Sequence, residues 1–407
     1  MNQIWESVGL ALQAVWANKL RSLLTVLGNI VAVSSIVTVV SLIQGMNSLV
    51  STAIVSGVGA DSFTIRRVPP IRTEEEDEKS RSNPLLTLQE ADAIRAFSPT
   101  IESVMAQADN GGRASYRNQE IDNARIQGVT SEYVNFDTFK VERGRMMSPT
   151  EVDRSRPVAI VGADIADKLF GQANPLDKVI NVAGVPFTVV GVGERKGSFF
   201  GNSQDNYIIV PLGAHEKLFG ARQSLALIVK PRNADVLQAA MDDATVALRV
   251  KRHLRPQDRD NFGMFTSDSI LQLYHQATNG IFAVLVGVVA LSLVVGGIVI
   301  MNIMLMVVTE RTREIGLRKA LGAKRRDIMS QVLTESVTLS TVGGMIGILL
   351  GFIGAQIVSR VTPLPARLEP WSVVLGVGIT AAVGLFFGAY PASRAARLDP
   401  IEALRRE

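Results

Sequence analysis

The sequence contains no cysteine in 407 residues. Disulfide scaffolds, thiolate metal sites and cysteine nucleophiles are therefore excluded. Histidine is almost as scarce, with only His215, His253 and His275. None pairs with another at metal-ligand spacing, so no histidine metal centre is expected. No G-x-x-x-x-G-K-[ST] phosphate loop occurs. The run Gly191-Val192-Gly193-Glu194-Arg195-Lys196-Gly197 is glycine-rich but has the wrong spacing. No Ser/His/Asp triad, carboxylate-pair motif or nucleic-acid module stands out, so a self-contained enzyme is the least favoured class. No cofactor is expected in this chain, and no nucleic acid partner. The net charge of +4 is too small to name a partner by itself.

What the chain has instead is hydrocarbon. Hydrophobic residues make up 47% and the mean hydropathy is +0.22. Yet 20% of residues are charged, so a few apolar spans joined to an ordinary soluble domain are expected. A helix needs roughly 20 apolar residues to cross a bilayer core of about 30 Å. Four segments meet that need: residues 23–43, 281–308, 328–353 and 371–390. Only the third carries a charge, Glu335. The first is longer than a signal-peptide core and follows Lys19 and Arg21, so it reads as an uncleaved signal anchor.

Short-loop basic residues set the orientation. Lys19 and Arg21 precede the first span. Arg311, Arg313, Arg318, Lys319, Lys324, Arg325 and Arg326 lie between the second and third. Arg394, Arg397, Arg405 and Arg406 follow the fourth. All face one side if both termini are cytoplasmic. Residues 1–22 then form a cytoplasmic amphipathic segment, 309–327 a cytoplasmic loop, 354–370 a short external loop and 391–407 a cytoplasmic tail. Residues 44–280 face outward, and membrane lipid is an expected partner of the spans.

That outward segment alternates strand-like and helix-like pieces. Strands are expected at 62–68, 157–162, 207–211 and 225–230. A hairpin at 179–192 should turn at Ala183-Gly184. Helices are expected at 87–97, with Thr87 as N-cap and Glu90 three residues on, at 164–170 and at 234–249. The fold class is an α-helical membrane protein with four transmembrane helices plus an α+β extracytoplasmic domain. Apolar stripes at Leu49, Ala53 and Ile54, and at Ile270, Leu271, Tyr274 and Ala277, suggest that the first two spans continue outward as a helical stalk. The run Glu74-Glu75-Glu76-Asp77-Glu78 reads as an acidic docking surface or as a solvated loop.

The connector between the second and third spans holds the most information. Leu317, Ala320 and Leu321 share one helical face at i, i+3 and i+4, with Arg318 and Lys319 off it. Gly322 suits the helix end. This describes a short amphipathic helix on the cytoplasmic surface, either seated in a groove of a partner or anchored to lipid headgroups. In the third span Gly343, Gly347 and Gly351 repeat every four residues and permit close helix packing, within the chain or across a dimer. Glu335 lies about 12 Å in from Asp327 by helical rise. It is either a functional intramembrane carboxylate or the partner of a basic residue near the interface.

Taken together, these motifs resemble the MacB-type permeases with a C-terminal FtsX-like domain. The resemblance is carried by Asn18-Lys19-Leu20-Arg21-Ser22-Leu23-Leu24-Thr25-Val26-Leu27-Gly28 and by Ala159-Ile160-Val161-Gly162. It continues in Asn174-Pro175-Leu176-Asp177-Lys178 and in the stretch from Gly296 through the connector to Gly351. It ends in Ala389-Tyr390-Pro391-Ala392 and Asp399-Pro400-Ile401-Glu402-Ala403-Leu404-Arg405. The resemblance implies a two-lobed, MacB-like outer domain, one lobe discontinuous in sequence and the other inserted into it. It implies a homodimer, or a heterodimer with a similar permease. ATP and Mg would be bound by a partner ABC ATPase subunit, since MacB's fused ATPase is not found before the first span. Residues Glu314, Ile315, Leu317, Arg318, Lys319, Ala320, Leu321 and Gly322 would be the coupling helix seated on that ATPase. Hydrolysis would drive the outer domain by mechanotransmission, with efflux of a drug, peptide or similar substrate. The alternatives are an FtsX-like signal transmitter and a lipoprotein-releasing Lol-type permease. A periplasmic adaptor and an outer-membrane channel are further implied partners in a host with an outer membrane.

Overall fold

The computed structural model describes residues 19–59, 61–68, 82–199, 201–362, 365–366 and 370–405. The acidic run at 74–78 and the N-terminal segment through residue 18 lie outside them. The chain divides into two compact units, one from Val50 to His275 and one from the residues on either side of it. The first helix, α1 (Lys19–Val58), has 40 residues. At 1.5 Å per residue it is about 60 Å long, roughly twice the hydrocarbon thickness of a bilayer.

The unit from Val50 to His275 is built on one mixed sheet. Its first strand is β1 (Phe63–Arg66), followed by helix α2 (Leu88–Phe97). Thr87 opens α2, and its backbone N–H donates to Glu90 Oε2 at 2.7 Å, satisfying a donor that has no partner within the helix. Two long strands, β2 (Ile101–Tyr116) and β3 (Gln119–Val129), form an antiparallel hairpin. Then come β4 (Val141–Gly144), helix α3 (Pro149–Asp153), β5 (Val158–Val161) and helix α4 (Ala163–Phe170). Strands β6 (Val179–Val182) and β7 (Val185–Gly193) pair across Ala183-Gly184. Both turn residues have positive φ, 48° and 90°, as a primed two-residue turn requires. The short pair β8 (Ser198–Phe199) and β9 (Asn202–Ser203) precedes β10 (Tyr207–Pro211) and helix α5 (Leu212–Phe219). Strand β11 (Ala226–Pro231), helix α6 (Leu237–Lys251) and β12 (Gly263–Thr266) complete the unit.

The sheet runs β12-β1-β11-β2-β3-β10-β5-β7-β4, with β6 bonded to both β2 and β7. Two lobes follow from the order. Phe63, Ile65, Ile94, Val104, Leu227, Val229, Ala244 and Leu248 form one core, drawn from both ends of the unit's sequence. Ile126, Val161, Ile165, Leu169, Ile180, Phe187, Val189 and Ile208 form the other, drawn from the middle. One lobe is thus inserted into the other, and the β2–β3 hairpin is common to both. A buried ion pair, Arg252 Nε to Glu90 Oε1 at 2.6 Å, ties α6 to α2.

The second unit is helical. Helix α7 (Ser267–Glu310) has 44 residues, about 66 Å. It is followed by α8 (Thr312–Ala320), α9 (Arg325–Val361), α10 (Pro370–Ala396) and α11 (Pro400–Arg405). Four helices among the described residues are long and apolar enough to cross a membrane, including windows in α1, α7, α9 and α10. Helix α10 continues through Pro391 to Ala396. Small residues let the helices meet closely. A Cβ on Gly384 of α10 would lie 2.8 Å from Ser340 Cβ of α9, and Ser336 Oγ donates to Gly384 O at 3.0 Å. Helix α1 meets the same α9: Asn29 Nδ2 donates to Ser340 O at 2.7 Å, and Thr38 Oγ1 to Gly351 O at 3.0 Å.

Candidate coupling site

The connector between α7 and α9 is a helix with two unlike faces. Helix α8 starts as α7 ends, and the Thr312 hydroxyl donates to Val308 O and Thr309 O at the junction. Ile315 is buried among Ile300, Met304, Val308, Ile328, Val332 and Ala395. Gly316 lies against α11, where a Cβ would come 2.5 Å from Ala403 Cβ. No side chain fits there, so the glycine sets how near α11 approaches. Lys319 turns inward, and its Nζ donates to Ala396 O at 3.0 Å and to Leu398 O. Ala396 is the last residue of α10 and Leu398 lies just beyond it, where helical carbonyls lack partners and a cation is favoured. Arg318 bridges Glu314 Oε1 and Gln331 Oε1, each at 2.6 Å, joining α8 to α9. Three anchors thus fix the back of α8 to α9, α10 and α11.

Among the described residues, the opposite face makes no such contacts. Leu317 is 52% exposed and Leu321 81%, and Ala320 beside them is exposed too. Gly322 follows with φ +102°, a left-handed conformation that stops the helix at low steric cost. Lys324 then opens α9, its N–H donating to Asp327 Oδ2 at 2.9 Å. Ile401 on α11 is 76% exposed. Exposed Arg313, Lys324, Arg325 and Arg326 complete a basic, apolar-centred surface.

Glu335 does not stand alone. Arg311 Nη1 approaches its Oε1 at 3.1 Å and its Oε2 at 3.4 Å. The carboxylate borders a small cleft shared with Glu314, Arg318 and Gln331. An arginine paired with an intramembrane carboxylate near a helix end lowers the cost of both charges. Gly343, Gly347 and Gly351 are all buried on α9. Gly347 faces Ile30 and Val33, and Gly351 faces Ser34 and Val37, so these two line the seam with α1. Sequence reasoning offered a basic partner for Glu335 but could not say that it is Arg311, and the inward turn of Lys319 lay beyond it. Among the described residues, no three His, Asp or Glu side chains converge where a metal ion could sit.

Comparison with known proteins covers both units. Residues 22–247 match the MacB-like periplasmic core domain, and residues 286–400 the FtsX-like permease C-terminal domain. The macrolide export ATP-binding/permease protein MacB of Bdellovibrio bacteriovorus is 35% identical over 398 residues, 97% of this chain and 61% of that protein. The MacB protein of Neisseria meningitidis serogroup A is 34% identical over 417 residues, 100% of this chain and 62% of that protein. The uncharacterized ABC transporter permease YknZ of Bacillus subtilis is 33% identical over 416 residues, 99% of each chain. The chain thus spans about three fifths of these MacB relatives and nearly all of YknZ. Among solved structures, the periplasmic region of MacB from Actinobacillus actinomycetemcomitans aligns at 22% identity and TM-score 0.45, over 54% of this chain and 95% of that one.

Proposed function

The chain belongs to the family of MacB- and FtsX-like ABC transporter permeases, and from that premise we propose that α8 is its coupling helix, receiving the stroke of an ABC ATPase. On this reading the chain hydrolyses nothing itself. ATP and Mg bind the ATPase, and movement of α8 passes along α7 and α1 to the extracytoplasmic domain. A dimer of permeases then expels a drug, peptide or similar substrate. Both termini and the connector face the cytoplasm, and the ATPase is a separate subunit.

One observation carries the reading. Helix α8 exposes two leucines on one side while its other side is fixed to α9, α10 and α11. An isolated amphipathic helix resting on lipid needs no such bracing. A helix that transmits force does, because slack between α8 and the spans would absorb the stroke. Burial of the area that Leu317 and Leu321 still expose, 52% and 81%, in an ATPase groove would contribute about 2–4 kcal/mol together. The test is Leu317→Asp with Leu321→Asp in a reconstituted complex with the ATPase. Insertion should be unchanged, while stimulation of ATP turnover by the permease falls at least tenfold. Full stimulation in the double variant would remove α8 from the pathway.

A further inference from the structure

The extracytoplasmic unit carries a hollow on one face of its sheet that the coupling reading leaves without a role. It encloses about 450 Å³ and is lined from β1, β2, β3, β10, β11 and β12. Sites for small organic ligands fall in the range of about 300–1,000 Å³. Its apolar part is formed by Ile209, Ile228 and Phe265. Among the described residues no Asp or Glu lines it, whereas Arg66, Arg125 and Lys196 do.

The two arginines bracket the hollow. Arg66 is on β1 and Arg125 on β3, three strand spacings apart across the sheet and four residues apart along it, which sets their Cα atoms about 20 Å apart at the usual spacings. Arg66 lies over the Phe265 ring, its guanidinium carbon 5.7 Å from the centroid, and makes no hydrogen bond among the described residues. Arg125 uses only Nε, which donates to Asp109 Oδ1 at 3.0 Å, leaving both Nη groups unbonded among the described residues.

The nearest carboxylates are already occupied. Asp109 also accepts from Gln127 and Gln107. Burial works against its charge, but Arg125 and the two amides prevail and hold it below the usual carboxylate range. Asp205 accepts the backbone N–H groups of Lys196 and Gly197, one on each oxygen. Asp109 is thus already the counter-ion of Arg125, whereas Arg66 has no carboxylate partner among the described residues.

We infer that this hollow binds a small amphiphilic organic anion: a carboxylate held by the open guanidinium group of Arg66, with its apolar body on Ile209, Ile228 and Phe265. A guanidinium matches a carboxylate with two parallel hydrogen bonds. The attraction is stronger above an apolar floor than in open water. The inference is independent of the coupling reading, because binding is measured with no ATPase present.

The test uses the full chain in lipid nanodiscs, with empty nanodiscs as the blank. Calorimetric titration compares 2-naphthoate with its neutral isostere 2-naphthamide. Naphthoate should bind roughly tenfold or more tighter than the amide, as expected for charge-assisted hydrogen bonds. Arg66→Gln should remove most of that preference and leave naphthamide binding unchanged. Arg66 contributes only a ring contact to the fold, so this variant stays folded even if Arg125→Gln does not. Equal affinity for the two probes, no naphthoate binding up to millimolar concentration, or an unchanged preference in Arg66→Gln would each overturn the assignment.

Discussion

Replacing glycines of α9 one at a time by alanine should change stability with opposite sign along a single helix. At Gly347 an added Cβ would lie 2.9 Å from the backbone oxygen of Ile30 and 2.9 Å from Val33 Cβ. At Gly351 it would lie 2.8 Å from Ser34 O and 2.9 Å from Val37 Cβ. Comfortable carbon contacts begin near 3.5 Å, so α1 must retreat by about 0.6 Å. Backbone atoms cannot rotate aside as a side chain can. Overpacking of this kind costs about 1–3 kcal/mol. Retreat also stretches the hydrogen bond from Thr38 Oγ1 to Gly351 O. Against this, Gly to Ala in a helix gains about 1 kcal/mol in backbone entropy. The net expectation is a loss of about 1–2 kcal/mol for Gly347→Ala or Gly351→Ala. At Gly354 the nearest atom to an added Cβ is Thr38 Oγ1 at 3.4 Å, an ordinary contact, so Gly354→Ala should keep up to about 1 kcal/mol of the helix gain. Reversible SDS unfolding of the full chain in mixed micelles measures all three. If Gly347→Ala and Gly351→Ala prove as stable as Gly354→Ala, α1 does not pack on α9 through these glycines.

Two further predictions concern the extracytoplasmic unit. Glu90→Ala leaves Arg252 buried without its carboxylate and should destabilise the unit by about 3–5 kcal/mol, read as a lowered midpoint in urea unfolding. Glu151 is held at a pKa of about 2, below the ordinary 4.5, first by the Arg145 side chain and then by Ser148. A depressed carboxyl pKa stabilises the fold above the unfolded value, and that stability is lost as pH falls from about 4.5 through about 2. Glu151→Gln should therefore cost roughly 1 kcal/mol at neutral pH, after allowance for the exposed Arg145, and flatten the acid limb of a stability–pH curve. A limb of unchanged steepness would rule Glu151 out as its source.

The parts of the fold legible in the sequence are those where local chemistry leaves one answer. Twenty uncharged residues have no alternative to a membrane helix or a deep core. Thr87 with Glu90 and Ala183-Gly184 each mark a boundary by hydrogen bonding or backbone geometry that nothing distant can change. The 207–211 strand is found at Tyr207–Pro211. The β2–β3 hairpin was missed for the opposite reason. Asn110-Gly111-Gly112 has the composition of a tight turn, yet β2 runs through it with only a register shift before Ala114. Gly112 is small because Ile126 and Phe219 press on it, 2.5 and 3.3 Å from an added Cβ, and long-range packing of that kind leaves no local mark. The segment at 234–249 likewise opens as a single 3-10 turn, Ala234–Val236, before α6 begins. In the coupling site, helical spacing placed Leu317, Ala320 and Leu321 on one face. It could not show what lies behind them, because Lys319 meets carbonyls 77 and 79 residues away.

That hidden face separates two functions that a single sequence motif runs together. On the proposed reading, seating an ATPase and passing on its movement need different atoms of α8. Leu317 and Leu321 face away from the spans, whereas Lys319 faces the end of α10 and α11. Lys319→Met keeps the length and apolar stem of the side chain but removes two hydrogen bonds from a cation, worth about 1.5–3 kcal/mol each. If α8 works as a braced lever, this variant should bind the ATPase with unchanged affinity and transport less per ATP hydrolysed. Leucine replacement should instead weaken ATPase binding itself. Affinity is read by titrating labelled ATPase onto nanodisc-embedded permease, and coupling by the ratio of substrate moved to phosphate released. A Lys319→Met protein that loses ATPase affinity in step with coupling would show that Lys319 belongs to the docking surface, and that the two faces of the helix do not divide the work.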